Sequence, residues 1–102
     1  MRQYELTPSA QEDLKEIARY TLTKWGEKQS LHYAELLDAG FRKIAAKNVN
    51  FRTFSKRFPQ ILVSRCEYHY IFYVHPDNKP PRIIAVLHER MDMLARLKNR
   101  LD

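Results

Sequence analysis

The fold is decided by two stretches, Cys66-Glu67-Tyr68-His69-Tyr70-Ile71-Phe72-Tyr73-Val74 and Ile83-Ile84-Ala85-Val86-Leu87-His88-Glu89-Arg90-Met91-Asp92. Both are rich in the β-branched and aromatic residues that favour strands. The segment between them, residues 75–81, has the composition of a turn, with three prolines and an Asp-Asn pair. The sequence therefore predicts strands over 68–74 and 82–88, and the second, a nearly continuous apolar run, is typical of a central strand buried on both faces.

The residues before this pair predict a short strand and two helices. Arg2 to Leu6 alternates as a strand does, and Thr7-Pro8 has the pattern of an N-cap followed by proline at the first helical position. Gly26 is expected to end the first helix, and a second is expected from Lys28 to Lys47. Their predicted inner faces, from spacings of three and four residues, are Leu14, Ile17, Ala18, Thr21 and Trp25, then Leu31, Ala34, Leu37, Phe41, Ile44 and Ala45.

The remaining segments complete an α+β fold. Residues 48–59 have no clean period and are expected to form a partly packed loop, whereas residues 61–65 predict another strand. Residues 93–101 have helical spacing. We expect one domain over residues 1–102, in which an N-terminal strand and an antiparallel helical hairpin pack on a small, mostly antiparallel sheet. A short C-terminal helix, or a helix of a partner, would cover the other face.

Composition limits the function classes. The net charge is +6, and the excess lies in residues 51–102, which carry ten Lys or Arg against five Asp or Glu. Such a charge favours an acidic partner, although solubility alone also explains it. The single cysteine indicates a reducing compartment, no apolar run approaches a membrane span, and the N-terminus lacks a signal peptide's apolar core. A cytoplasmic location is expected.

No pattern for a cofactor or a metal ion is present. The four histidines and one cysteine have no zinc-finger or HExxH spacing, and the two glycines are too far apart for a phosphate-binding loop. We therefore predict no metal and no cofactor. A buried structural role is expected for Cys66, since nothing else supports a cysteine nucleophile.

Ribonuclease chemistry is the main enzymatic alternative. It needs a general base, a general acid and cations at the phosphate, and the region from Arg65 to Arg90 contains suitable residue types. The best acid–base candidate, His69, shares a strand face with Ile71 and Tyr73. We favour the interpretation that His69 is a hydrogen-bonded histidine at the edge of the core.

The polar cluster His88-Glu89-Arg90-Met91-Asp92 is the strongest local anomaly, because it ends a buried strand with alternating charges. One interpretation is a strand-to-helix junction in which Asp92 caps the last helix. The other is a contact surface for a partner. The two interpretations are compatible.

The order and spacing of several motifs resemble the ParE branch of the ParE/RelE toxin superfamily, over nearly the whole chain. The matching residues are Tyr4-Glu5-Leu6-Thr7, Ala10, Asp13-Leu14, Ile17, Tyr20-Thr21, Trp25-Gly26, Gln29 and Tyr33, then Arg65-Cys66-Glu67, residues 69–72 and Leu87-His88-Glu89-Arg90-Met91-Asp92. The last two motifs are especially similar to the plasmid-stabilisation ParE subgroup. One departure is that many ParE proteins have a glycine before His69, where this chain has Glu67.

The resemblance implies a toxin of a type II toxin–antitoxin module that inhibits DNA gyrase without being an enzyme. It also implies a ParD-like antitoxin that forms a hetero-oligomer with the toxin, DNA contact only through the antitoxin or gyrase, and no membrane partner. The predicted toxicity contacts are His88, Glu89, Arg90, Met91, Asp92 and Leu97, and the predicted antitoxin contacts are Leu14, Ile17, Tyr20, Trp25, Arg65 and Arg82.

Two other functions stay open at this point. One is a ribosome-dependent mRNA endonuclease of RelE type, although the late tyrosine of that branch has no counterpart in residues 88–92. The other is an inactive remnant that only partners an antitoxin. Under the gyrase hypothesis, deleting residues 93–102 is predicted to abolish toxicity and to spare antitoxin binding.

Overall fold

The computed structural model describes residues 3–101, which form three helices around a five-stranded sheet. It confirms the α+β class and the order of the predicted elements. The elements are β1 (Glu5–Leu6), α1 (Pro8–Trp25), α2 (Glu27–Ala45), β2 (Arg52–Ser55), β3 (Phe58–Cys66), β4 (His69–Val74), β5 (Arg82–His88) and α3 (Met93–Leu101).

The sheet has the strand order β1-β5-β4-β3-β2. β1 runs parallel to β5, whereas β2 to β5 form an antiparallel meander. The predicted central position of β5 is confirmed. The prediction of a loop over 48–59 is wrong in two places. Arg52–Ser55 pairs with β3 in the register Arg52↔Val63 and Thr53↔Leu62, and residues 58–59 already belong to β3. The start of the first predicted strand, at Arg2, lies outside the described residues.

The helical hairpin begins and turns where the sequence predicts. Thr7 caps α1 by accepting a hydrogen bond at Oγ1 from the N–H of Ala10 (3.2 Å), and Pro8 is the first helical residue. Gly26 separates the two helices with φ +89°, a left-handed value that favours glycine. A hydrogen bond between two hydroxyls links the helices near this turn, with Thr21 Oγ1 and Ser30 Oγ 2.8 Å apart.

The sheet is covered on both faces, by α1 and α2 on one side and by α3 on the other. The predicted division of β4 is confirmed, since Ile71 and Tyr73 pack toward the hairpin and Phe72 packs toward α3. The hairpin-side core contains Ala10, Tyr33, Leu37, Phe41, Ile44, Ile71, Tyr73, Ile83 and Val86, and the α3-side core contains Ile61, Val63, Phe72, Ala85, Leu87 and Leu97.

Four predicted inner residues of the hairpin are exposed: Ala18, Trp25, Leu31 and Ala34. Leu31 is 60% exposed, because Ser30 is the residue that faces α1 and consecutive helical side chains point about 100° apart. Trp25, in the last turn of α1, is 50% exposed and contacts Tyr20 edge-on at 6.0 Å between ring centroids. The end of the hairpin therefore presents apolar surface to solvent.

An ion pair closes the edge of β5 where β1 stops. Ile84 is the extra residue of a β-bulge, since Tyr73 pairs with Ile83 and Phe72 pairs with Ala85. Beyond β1, side chains bond the backbone groups on this edge of β5. The N–H of Val86 donates to Asp13 (2.9 Å), and the carbonyl of Ile84 accepts from Arg100 (3.1 Å). Arg100 also donates two hydrogen bonds of 2.7 Å to Asp13, so α1 and α3 are joined around this edge.

Candidate functional site

The loop from His88 to Asp92 joins β5 to α3, and its backbone is held by local hydrogen bonds. The N–H of Met91 donates to the carbonyl of His88 (2.9 Å), and the N–H of Arg90 donates to His88 Nδ1 (3.1 Å). Glu89, Arg90 and Asp92 are exposed, whereas His88 and Met91 are partly buried. The predicted contact residues 88–92 therefore form one ordered polar surface.

Asp92 fixes the exit of this loop into α3. Its Oδ1 accepts a hydrogen bond from the N–H of Ala95 (3.2 Å), and its carbonyl accepts from the N–H of Arg96 (3.1 Å). This confirms the predicted capping role. Because the cap uses one carboxylate oxygen and Asp92 is exposed, the same residue remains accessible to a partner.

Arg65 ties the loop to the sheet. Its guanidinium donates to Glu89 Oε2 (2.7 Å), to the carbonyl of Glu67 (3.1 Å) and to the hydroxyl of Tyr70 (3.3 Å), and it lies 5.5 Å from the Tyr70 ring centroid. The register explains the approach, because Tyr70 pairs with Arg65 on one side and with Leu87 on the other. A weak signal of this contact is present in the sequence, since Arg65 and Glu89 carry opposite charges near the ends of two predicted strands.

His69 lies beneath this surface and is held as a neutral residue. It is 8% exposed, and its Nδ1 forms a hydrogen bond with the hydroxyl of Tyr33 (2.5 Å), which also accepts one from the N–H of Tyr68 (3.3 Å). Burial, with a smaller effect of His88, lowers the pKa of His69 to about 4. Burial raises the pKa of Tyr33 to about 12, so its hydroxyl keeps its proton. The interpretation of His69 as a hydrogen-bonded core-edge histidine is confirmed.

The described residues contain no group of three or more His, Cys, Asp or Glu that could hold a metal ion. Burial raises the pKa of the Cys66 thiol, and Sγ donates to the carbonyl of Leu36 (3.4 Å). Such a thiol is protonated and weakly nucleophilic at neutral pH. No helix within residues 3–101 has the length and apolarity needed to cross a membrane.

A second candidate surface is a groove between α1 and α2, on the opposite side of the sheet from α3. It encloses a cavity of about 160 Å³ with a mostly apolar lining. Leu14 and Ile17, two of the residues predicted to contact an antitoxin, line it, and the exposed Tyr20 and Trp25 lie on the same helix. The complete lining is Tyr4, Leu14, Ile17, Ala18, Thr21, Ser30, Tyr33, Ala34, Leu37, Asp38 and Phe41.

Known toxins are similar to this chain over nearly its whole length. The sequence model of ParE toxins of type II toxin–antitoxin systems, parDE, matches residues 4–93. A curated relative, Toxin ParE of Escherichia coli, is 41% identical over 101 residues, which is 99% of this chain and 98% of that protein.

This chain belongs to the ParE toxin family.

The fold is also that of a solved toxin–antitoxin structure. A chain of the chromosomal ParDE system from P. aeruginosa matches with a TM-score of 0.71 at 16% identity, over 83% of this chain and 92% of that chain. At this identity the match establishes the fold alone.

In this ParE-family chain, the predicted antitoxin contacts do not form one surface. Arg65 lies against Glu89 in the loop after β5, and Arg82 lies 3.6 Å from Glu5 between β5 and β1. The four other predicted contacts are on α1. The structure therefore separates Arg65 from the groove and places it beside the residues predicted for toxicity.

Leu97, the sixth predicted toxicity contact, is fully buried against the sheet. It supports α3 from below and presents no surface of its own. Deleting residues 93–102 would uncover Phe72, Ala85 and Leu87 and would remove Arg100 from Asp13. That truncation therefore damages the core, and exposed positions of α3 are better suited to a test of contact.

Proposed function

We propose that this ParE-family chain is a toxin that inhibits DNA gyrase by binding it, and that a ParD-like antitoxin neutralises it by occupying the α1–α2 groove. The observation that carries the proposal is the presence of two separate surfaces. The ordered polar loop 88–92 lies at one end of β5, and the apolar groove lies on the hairpin. A toxin needs one surface for its target and benefits from another for its antitoxin.

The geometry of the loop supports recognition of a protein target. Its backbone is ordered before any partner arrives, so binding does not incur the entropy cost of ordering it. Arg90 is exposed and has no carboxylate within 4.0 Å among residues 3–101. A cation so placed suits an acidic patch on the target.

The environment of His69 supports a toxin that acts without catalysis. A general base must reach the proton that it removes. The Nδ1 atom of His69 is already hydrogen-bonded to the hydroxyl of Tyr33, and the residue is buried. These features favour gyrase binding over the RelE-type endonuclease.

The groove supports an antitoxin segment with apolar anchors. Ala18 and Ala34 are small residues at the surface of the lining, and Leu14, Ile17 and Leu37 form its wall. Peptides that order on binding often place a helix with apolar residues into such a groove. The bound tail would also stabilise the folded toxin by mass action.

Supercoiling of relaxed plasmid by gyrase tests the target, with the purified full chain and an in vitro translation reaction run beside it. Loss of supercoiling or accumulation of cleaved plasmid, with translation intact, is the expected result. Intact supercoiling with cut mRNA would contradict the proposal and favour the endonuclease. Unchanged growth after induction without antitoxin would identify an inactive remnant.

Ala34→Glu tests the groove, with Ala39→Glu as its matched control. Both alanines are exposed on α2, and only Ala34 lines the cavity. An antitoxin segment bound in the groove would bury the new carboxylate at position 34 without a partner, which costs about 2–5 kcal/mol. Ala34→Glu is therefore expected to weaken antitoxin binding by at least about 30-fold. Toxicity should be retained in both variants. Equal antitoxin affinities for the two variants would contradict the assignment of the groove.

A further inference from the structure

The turn between β3 and β4 is joined to the 88–92 loop. The N–H of Glu89 donates to the carbonyl of Tyr68 (3.1 Å), and Arg65 donates both to the carbonyl of Glu67 (3.1 Å) and to the carboxylate of Glu89 (2.7 Å). The two turns therefore present one continuous surface at this end of the sheet, although about twenty residues separate them in the sequence.

Tyr68 is a large exposed side chain on a fixed backbone. Tyr68 is 55% exposed. Its N–H donates to the hydroxyl of Tyr33, and its carbonyl accepts from the N–H of Glu89. Tyr33 is itself anchored to His69. The sheet and the hairpin thus hold the backbone of Tyr68 while leaving the ring available.

We propose that Tyr68 is a contact residue of the target surface and that Arg65 is a positioning residue, which holds the turn at Tyr68 and the 88–92 loop in register. This inference rests on the proposed function and extends its surface beyond residues 88–92. Exposed tyrosines and arginines on ordered backbones are the residue types that dominate binding energy at protein interfaces, since a tyrosine buries a large area at low rotamer cost.

The chemistry of this surface specifies the partner. The ring of Tyr68 requires an apolar pocket, and the exposed Arg90 requires an acidic group beside it. Arg65 is already satisfied by Glu89, so it contributes geometry rather than a free charge. The surface therefore fits a folded protein that has an aromatic-binding pocket at the edge of an acidic patch.

Tyr68→Ala in the full chain tests the contact, with Tyr20→Ala as a matched control. Tyr20 is 59% exposed and lies on α1, on the hairpin. Tyr68→Ala is expected to raise the concentration for half-inhibition of supercoiling by at least about tenfold, and to keep antitoxin affinity within about twofold. Tyr20→Ala should leave supercoiling inhibition within about twofold. Wild-type inhibition by Tyr68→Ala would overturn the contact.

Arg65→Gln and Arg65→Lys test the positioning role. Arg65→Gln removes the charge opposite Glu89 and is expected to weaken inhibition by about tenfold, whereas Arg65→Lys keeps that charge and should recover most of the loss. Antitoxin affinity should stay within about twofold for both. Full inhibition by Arg65→Gln, or a Lys variant no better than the Gln variant, would overturn this role.

Growth inhibition by induced wild type and Tyr68→Ala separates failure of this inference from failure of the proposed function. If the wild type arrests growth but leaves gyrase active, the gyrase proposal fails, and a loss of growth arrest in Tyr68→Ala still supports the surface. If the wild type inhibits gyrase and Tyr68→Ala inhibits it equally, the surface inference fails alone.

Discussion

Breaking the ion pair between Asp13 and Arg100 should be among the most destabilising single changes to the fold. The side chains are 9% and 18% exposed, and Asp13 accepts three hydrogen bonds, two from Arg100 at 2.7 Å and one from the N–H of Val86 at 2.9 Å. The hydrogen bond to Asp13 raises the pKa of Arg100, so the guanidinium stays charged. Removing one partner therefore leaves a cation largely shielded from water.

Asp13→Ala is expected to lower the free energy of unfolding by about 3–5 kcal/mol, because it strands Arg100 and leaves the N–H of Val86 without an acceptor. Asp13→Asn keeps an oxygen for Val86 and is expected to cost about 1–3 kcal/mol. For a domain of this size, whose total stability is about 5–15 kcal/mol, the alanine variant should be close to unfolding.

Urea denaturation followed by far-ultraviolet circular dichroism measures both effects. The control is Glu12→Ala, since Glu12 and Lys15 form an exposed pair with side chains 63% and 65% accessible, and its loss should cost less than about 0.5 kcal/mol. A double-mutant cycle with Arg100→Met should give a coupling of about 1–3 kcal/mol. An Asp13→Ala variant within about 1 kcal/mol of wild type would refute this account of the β5 edge.

Three further outcomes follow from single positions. The pKa of His69 is about 4 in the fold against an ordinary 6.5, so the unfolded chain binds more protons between these values. The free energy of unfolding should therefore keep its full value above pH 6.5 and fall toward pH 4 by up to about 1.4 kcal/mol per pH unit. In urea titrations, His69→Asn should flatten this pH dependence, and His32→Asn should not. Glu67 and Lys47 have φ values of +57° and +59°, a left-handed conformation that costs a non-glycine residue about 1–2 kcal/mol, whereas glycine costs about 0.5–1 kcal/mol in chain entropy. Glu67→Gly and Lys47→Gly should therefore each raise the urea midpoint, and an unchanged midpoint would contradict that strain. Leu94 is 61% exposed on α3, so Leu94→Glu should preserve the melting temperature and, if α3 contacts the target, reduce supercoiling inhibition by about tenfold; wild-type inhibition would exclude this face of α3.

Local sequence was sufficient where the signal depends on neighbours a few residues away. The Thr7-Pro8 cap, the turn at Gly26 and the strand at 82–88 were all predicted at or near their observed positions. The glycine that many ParE proteins have before His69 also has a local explanation. Glu67, which stands at that place here, is in the left-handed conformation that glycine adopts most easily. The division of β4 into two faces followed from its period of two.

Periodicity failed where pairing or solvent exposure decided the outcome. Arg52–Ser55 has no clear alternation and becomes a strand because β3 offers an edge to it. Leu31 fits the apolar spacing of α2, yet it lies beyond the strip that α1 covers. A spacing pattern gives the direction of a side chain around its helix and does not give the extent of the partner that covers it.

The candidate surfaces divide in the same way. The sequence by itself identified the polar residues 88–92, the apolar stripe of α1 and the family that both resemble. Only the tertiary structure buried Leu97, moved Arg65 from the predicted antitoxin surface to Glu89, and joined Asp13 to Arg100 around the β5 edge. The two ion pairs join residues that are 24 and 87 positions apart, and they exist because the strand order β1-β5-β4-β3-β2, with a two-residue β1, brings those positions together.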